Sequence, residues 1–208
     1  MTRDVTTQSR RQQAERRADT EAKLIDATIQ CIIDIGYPRT SVREICQRAG
    51  VSHGGLFGRF DTLFDLIAAS AVEAGRRLTA QFIAEIAELP DGSDLGAILE
   101  LLRDCARVPT NAVWIELNVA ARTDPALAAQ LAVARADYGA AIVAHVVTLP
   151  LAAGVPAEAL LTVGSIVLQY FDASASTRAA FPTPERDSVQ LAAFTTMVRA
   201  YLDSVRIE

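Results

Sequence analysis

The residues best equipped for chemistry lie between Thr40 and Phe60, in TSVREICQRAGVSHGGLFGRF. Arg43, Ser52, His53 and Arg59 offer hydrogen-bonding side chains, and Gly54 and Gly55 leave the backbone bare beside them. No nucleophile–base pair, paired carboxylate or phosphate-cradling glycine loop accompanies them, so catalysis has no constellation to work with. The set suits recognition instead. An Arg can pair with a guanine edge through two bonds, which discriminates by ~1–3 kcal/mol.

Two short helices must hold these groups. Ser41 can cap the first, with Glu44 three residues on at the capping-box spacing. Val42, Ile45, Cys46 and Ala49 recur on one apolar face. Gly50 stops that helix, because glycine accepts the left-handed conformation of a sharp turn. Val51 plugs the turn and Ser52 can cap the second helix. Leu56, Phe57 and Phe60 are expected to face inward there, leaving Ser52, His53, Gly54, Gly55 and Arg59 outside. This is a helix-turn-helix pattern, whose second helix can enter the major groove. Gly54, Gly55 and Gly58 each cost roughly 0.8–1 kcal/mol against Ala in a helix. They fit either close backbone approach to DNA or a helix that orders only on binding.

The chain has 208 residues, half of them hydrophobic. Apolar residues recur at helical spacing and nowhere alternate for long, which predicts an all-α fold. No run is expected to be long and charge-free enough to span a bilayer, and the polar N-terminus is not a secretory signal. Three unpaired cysteines, Cys31, Cys46 and Cys105, fit small buried hydrophobes in a reducing cytoplasm, with a redox sensor as the alternative. The net charge is −5, unevenly spread: residues 1–66 hold 10 Lys+Arg and 9 Asp+Glu, and residues 67–208 hold 10 and 16. The N-terminal part also gathers Arg10, Arg11, Arg16 and Arg17. They make either a solvated charged face or an arm that touches phosphates.

Along the chain, residues 1–8 are expected to be a disordered arm. A helix follows, secure from Thr20, with Ala22, Ile25, Ile29, Ile32 and Ile33 on its apolar face, Leu24 and Ile35 on the flanks, and Gly36 and Pro38 at its end. After the helix-turn-helix a long helix runs from Asp61 or Thr62 to about Leu89. Further helices are expected at 94–108, 110–122, from Asp124-Pro125 to about 149, at 156–175 and at 184–206. The division reads as a helix-turn-helix DNA-binding domain over 1–66 and a larger helical domain over 67–208, to which only a family resemblance gives effector binding and dimerisation.

Leu24 to Leu66 resembles the DNA-binding domain of TetR-family transcriptional regulators. The matching pieces are the first helix ending in Gly36-Tyr37, Thr40-Ser41-Val42-Arg43-Glu44-Ile45, Ala49-Gly50-Val51-Ser52, and Gly54-x-Leu56-Phe57-x-x-Phe60. The resemblance implies an all-α homodimer that reads a palindromic operator in double-stranded DNA and joins through its last two helices. It implies that Arg43, Ser52, His53, Gly54 and Gly55 approach base edges, with Ser41, Phe57 and Arg59 beside phosphates. The family usually has Tyr at the Phe57 position and Lys at the Leu63 position, both phosphate partners. Neither residue here can play that part, and the arginine cluster is a candidate compensation.

The resemblance also implies a pocket for a small effector. Trp114, Tyr138 and Phe171 stand on three helices, with Asn118, His145 and Gln169 as polar companions; they are core aromatics or the lining of such a pocket. Few cationic residues neighbour them in sequence, which favours a mostly apolar effector. Neither His has metal-ligand company, so no metal or cofactor is expected. The reading is a ligand-responsive regulator, of repressor type. The alternative is a helical small-molecule-binding protein or enzyme whose helix-turn-helix no longer binds DNA.

Overall fold

The computed structural model describes residues 2–90 and 92–207, without the side chains of residues 2–11 and of Ala179. Every regular element among them is helical. They are α1 (Thr2–Ile35), α2 (Val42–Ala49), α3 (His53–Phe57), α4 (Leu63–Ala87), α5 (Leu95–Ala106), α6 (Asn111–Ala121), α7 (Pro125–Val146), α8 (Ala157–Ala180) and α9 (Pro184–Val205), with short 3-10 turns at Tyr37–Arg39 and Pro150–Ala152.

The first helix corrects two expectations. Residues 2–8 continue the helix instead of forming a disordered arm. No Gly or Pro interrupts α1, and Ala, Arg, Gln and Glu favour helix over its N-terminal half. Its apolar face is also not the single one expected, for Ala22 is exposed and Leu24 is fully buried. One side of α1 (Leu24, Ala27, Cys31) meets Ile45, Cys46, Leu56 and Phe60 of the helix-turn-helix. Another (Ile29, Ile32) meets Ile67, Ala71, Trp114 and Leu117. A helix clasped from two sides needs two stripes. Arg10 and Arg11 fall among the side chains that are not described; Arg16 and Arg17 are exposed.

The long helix α4 carries the chain from one core to the next. Thr62 caps it through a complete capping box, its hydroxyl accepting from the Asp65 N–H at 3.1 Å and its own N–H donating to Asp65 Oδ2 at 3.0 Å. Leu66 packs with the helix-turn-helix, Ile67 to Leu78 with α1, α6 and α7, and Phe82 and Ile86 with α5, α8 and α9. Asp94 and Asp124 cap α5 and α7, and Pro125 begins α7 as its sequence signal predicts. The helix α7 ends at Val146, earlier than expected, and α8 continues to Ala180.

By length and composition alone, α7 is apolar enough to cross a membrane, against the expectation that no run would be. Alanine accounts for this, since it scores as apolar without making a bulky face. Leu127, Leu131, Ala134 and Ile142 are buried against neighbouring helices. The three cysteines are free and buried, and burial pushes each thiol pKa up, that of Cys105 to about 12.

Candidate nucleic-acid interface

The turn between α2 and α3 is built from its smallest residues. The Ser41 hydroxyl accepts from the Glu44 N–H at 3.3 Å and starts α2. Gly50 ends α2 at φ 65°, the left-handed conformation the sequence requires there. The Ser52 hydroxyl accepts from the Gly55 N–H at 3.1 Å and starts α3. A Cβ on Gly55 would stand 2.7 Å from Val51 Cγ1, so this glycine lets the turn fold back onto the helix. A Cβ on Gly54 would meet nothing within 4 Å. Gly55 is therefore explained by packing within the protein, while Gly54 is not.

The outward face of this unit gathers the residues singled out for DNA. Arg43, Ser52, His53, Gly54 and Phe57 are exposed; Ser41, Gly55 and Arg59 are half-buried. Leu56 and Phe60 anchor α3 in the core, but Phe57 is 50% exposed and does not face inward as expected. With Leu56 and Phe60 turned into the core, Phe57 falls on the outward side of this short helix. Arg59 donates from Nη1 to the Gly58 carbonyl at 2.9 Å, while its Nε is buried without a partner. Leu63 packs against both the helix-turn-helix core and the core behind it. That explains an apolar residue at the start of α4.

This unit is tied to the larger domain by polar links. The Tyr37 N–H, just past α1, donates to Glu116 Oε2 on α6 at 3.3 Å. Arg77 on α4 pairs with Asp26 on α1 and, at 2.8 Å, with Glu73. Arg76 beside it, then Arg77, hold the Glu73 carboxyl down to about 2.

The six residues considered for an effector are not gathered at one place, and Gln169 among them is exposed. Trp114 is fully buried and stacks on Tyr138, their ring centroids 6.2 Å apart. Its indole lies where a Gly75 Cβ would come within 2.9 Å of Cζ2, and its Nε1–H is buried with no partner. Burial, and then the Asp172 carboxylate, push the Tyr138 phenol well up. Phe171 belongs to the other core, edge-on to Phe194. His145 is half-buried and Asn118 is exposed. A groove of about 390 Å³ runs between α4 and α7 over Gly75 and Tyr138, bordered by Val72, Thr79 and Ile83. A second space of about 60 Å³, walled by aliphatic side chains of α5, α7, α8 and α9, is too small for a drug-sized molecule.

One polar cluster escaped the sequence. Asp172 on α8 accepts from Asn111 Nδ2 on α6 and from Arg135 Nη1 on α7, each at 3.0 Å. Three separate helices contribute it, so no spacing announces it.

Comparison with known proteins agrees with this geometry. The family model for bacterial regulatory proteins of the tetR family matches residues 24–69. An uncharacterized HTH-type transcriptional regulator of Mycobacterium bovis is 39% identical over 193 residues, covering 92% of this chain and 99% of that protein. Among solved structures, a transcriptional regulator from Rhodococcus sp. Rha1 has a TM-score of 0.67 at 22% identity, over 90% of this chain and 98% of that one. The multidrug binding protein EbrR, complexed with imidazole, has a TM-score of 0.66 at 20% identity, over 88% of this chain and 94% of its own. With helix order, the exposed α3 and a relative matched almost end to end in agreement, the chain belongs to the tetR family of bacterial transcriptional regulators.

Proposed function

We propose that this regulator is a ligand-responsive repressor, binding a palindromic operator as a homodimer and releasing it when a small, mostly apolar effector occupies the larger domain. The observation that carries the reading is α3: it is fixed to the core through Leu56 and presents His53 and Gly54 to solvent, with Arg43 exposed on α2. Arg43, Ser52, His53, Gly54 and Gly55 are assigned to base edges, and Ser41 and Arg59 to the backbone alongside.

The effector is assigned to the groove above Tyr138, whose volume falls in the range of small-molecule sites. Gly75, which lines this groove for the ligand, has the buried Trp114 indole and its unpaired Nε1–H packed behind it. Such a ligand would act on α4 and α7, and α4 is the helix that also packs on α1. The dimer is assigned to α8 and α9, where Leu161, Ile166, Val189, Met197 and Tyr201 stay exposed on one subunit. The operator reading places the protein in the cytoplasm, with DNA.

A gel shift with the duplex upstream of the protein's own gene tests this. Specific retardation, reversed by a compound that also raises the melting temperature, is expected. A protein that binds such a compound but no DNA would instead support the helical ligand-binding protein that has lost its operator.

A further inference from the structure

Phe57 is the one large hydrophobic side chain left exposed among the described side chains of α1, α2 and α3. A ring standing half in water on a small polar face is unfavourable by itself. No other exposed large hydrophobic of these helices joins it, so it makes no patch of the size that docks a protein. Its surroundings are specific, however. His53 lies one turn before it on the same side of α3, while Gly54, three residues before, has open space where a side chain would stand. Gly58 follows it directly. The ring is therefore the furthest-reaching apolar group of the helix, with glycine on either flank.

We infer that Phe57 is a specificity-determining residue whose ring packs on the 5-methyl group of a thymine in the major groove. This rests on the reading that α3 enters that groove. The thymine methyl is the apolar feature of the major-groove edge, and an aromatic ring is one of the groups that meets it. A phenyl ring carries no donor, so it cannot hold a phosphate, and burying it against sugar or methyl is what its chemistry permits. Glycines at 54 and 58 let the backbone come close enough for a ring of this length to reach a base edge instead of stopping at the groove wall.

The test uses the full-length protein and duplexes selected by it from a random library. Each thymine of a selected duplex is replaced in turn by uracil, which removes the methyl and keeps the base pair. Wild-type protein should lose about four-fold in affinity, the worth of one buried methyl, when the single thymine at one particular position of either half-site becomes uracil. Phe57→Ala should bind more weakly but treat the two duplexes alike. Phe57→Tyr, which keeps the ring, should retain the discrimination. Uracil without effect at every position, or Phe57→Ala with undiminished sensitivity to it, overturns the inference while leaving the regulator standing. Failure to enrich any duplex overturns the reading beneath it.

Discussion

Arg43 is the side chain from which the largest single effect on recognition is expected. It is exposed on α2, and a bidentate pair with guanine discriminates by ~1–3 kcal/mol. Arg43→Ala should relax operator preference at one position per half-site; equal weakening on all sequences would make it a phosphate partner. The glycines separate packing from function in a similar way. Gly55→Ala drives a Cβ into the β-branched Val51 and should destabilise the domain by about 1–3 kcal/mol in a thermal melt. Gly54→Ala has free space and should leave stability unchanged or raise it by up to about 1 kcal/mol, yet weaken DNA binding. Undiminished affinity in Gly54→Ala would mean that the backbone does not approach the duplex there. The sequence disclosed both caps and Gly50, since their demands are local. It misplaced Phe57, because the number of positions a five-residue helix can bury depends on a surface no local pattern contains.

At the level of elements, α1 is where structure adds most. Its buried residues begin at Leu24, and residues 12–19 are exposed throughout, so the N-terminal half projects from the domain. The other end is tied to the larger domain, where the Tyr37 N–H donates to Glu116 on α6. A helix of this length, about 51 Å at 1.5 Å per residue, extends well beyond the core it anchors. Arg16 and Arg17 are exposed on that half, and Arg10 and Arg11 precede them. Deleting residues 1–17 should therefore cost affinity and flatten the dependence on salt by nearly one unit for each phosphate partner lost. An unchanged slope would reduce the cluster to a solvated face. The Asp172 cluster was hidden from sequence because three separate helices contribute it, and the two stripes of α1 for a different reason. Periodicity records one partner surface per helix, and a helix with two partners blurs its own signal.

The whole molecule is a chain of cores strung along α4, with the DNA-facing unit at one end and the aliphatic space among α5, α7, α8 and α9 at the other. Class and helix order were legible from periodicity, caps and prolines, because each helix announces its ends locally. The placement of the aromatics was not, since Trp114, Tyr138 and Phe171 share apolar spacing, whereas the fold puts Trp114 in one core, Phe171 in another and Tyr138 against both. Assembly is a property at this scale too. Exposed apolar side chains on α8 and α9 predict a dimer in sedimentation at micromolar concentration, and a monomer there would contradict the operator geometry.

The most direct measurement of the central claim is a footprint of the full-length protein on the duplex it selects. Two protected half-sites of inverted sequence, with centres about ten base pairs or a small multiple apart, are the predicted result. Protection of a single site without symmetry, or no protection at saturating protein, would contradict the account.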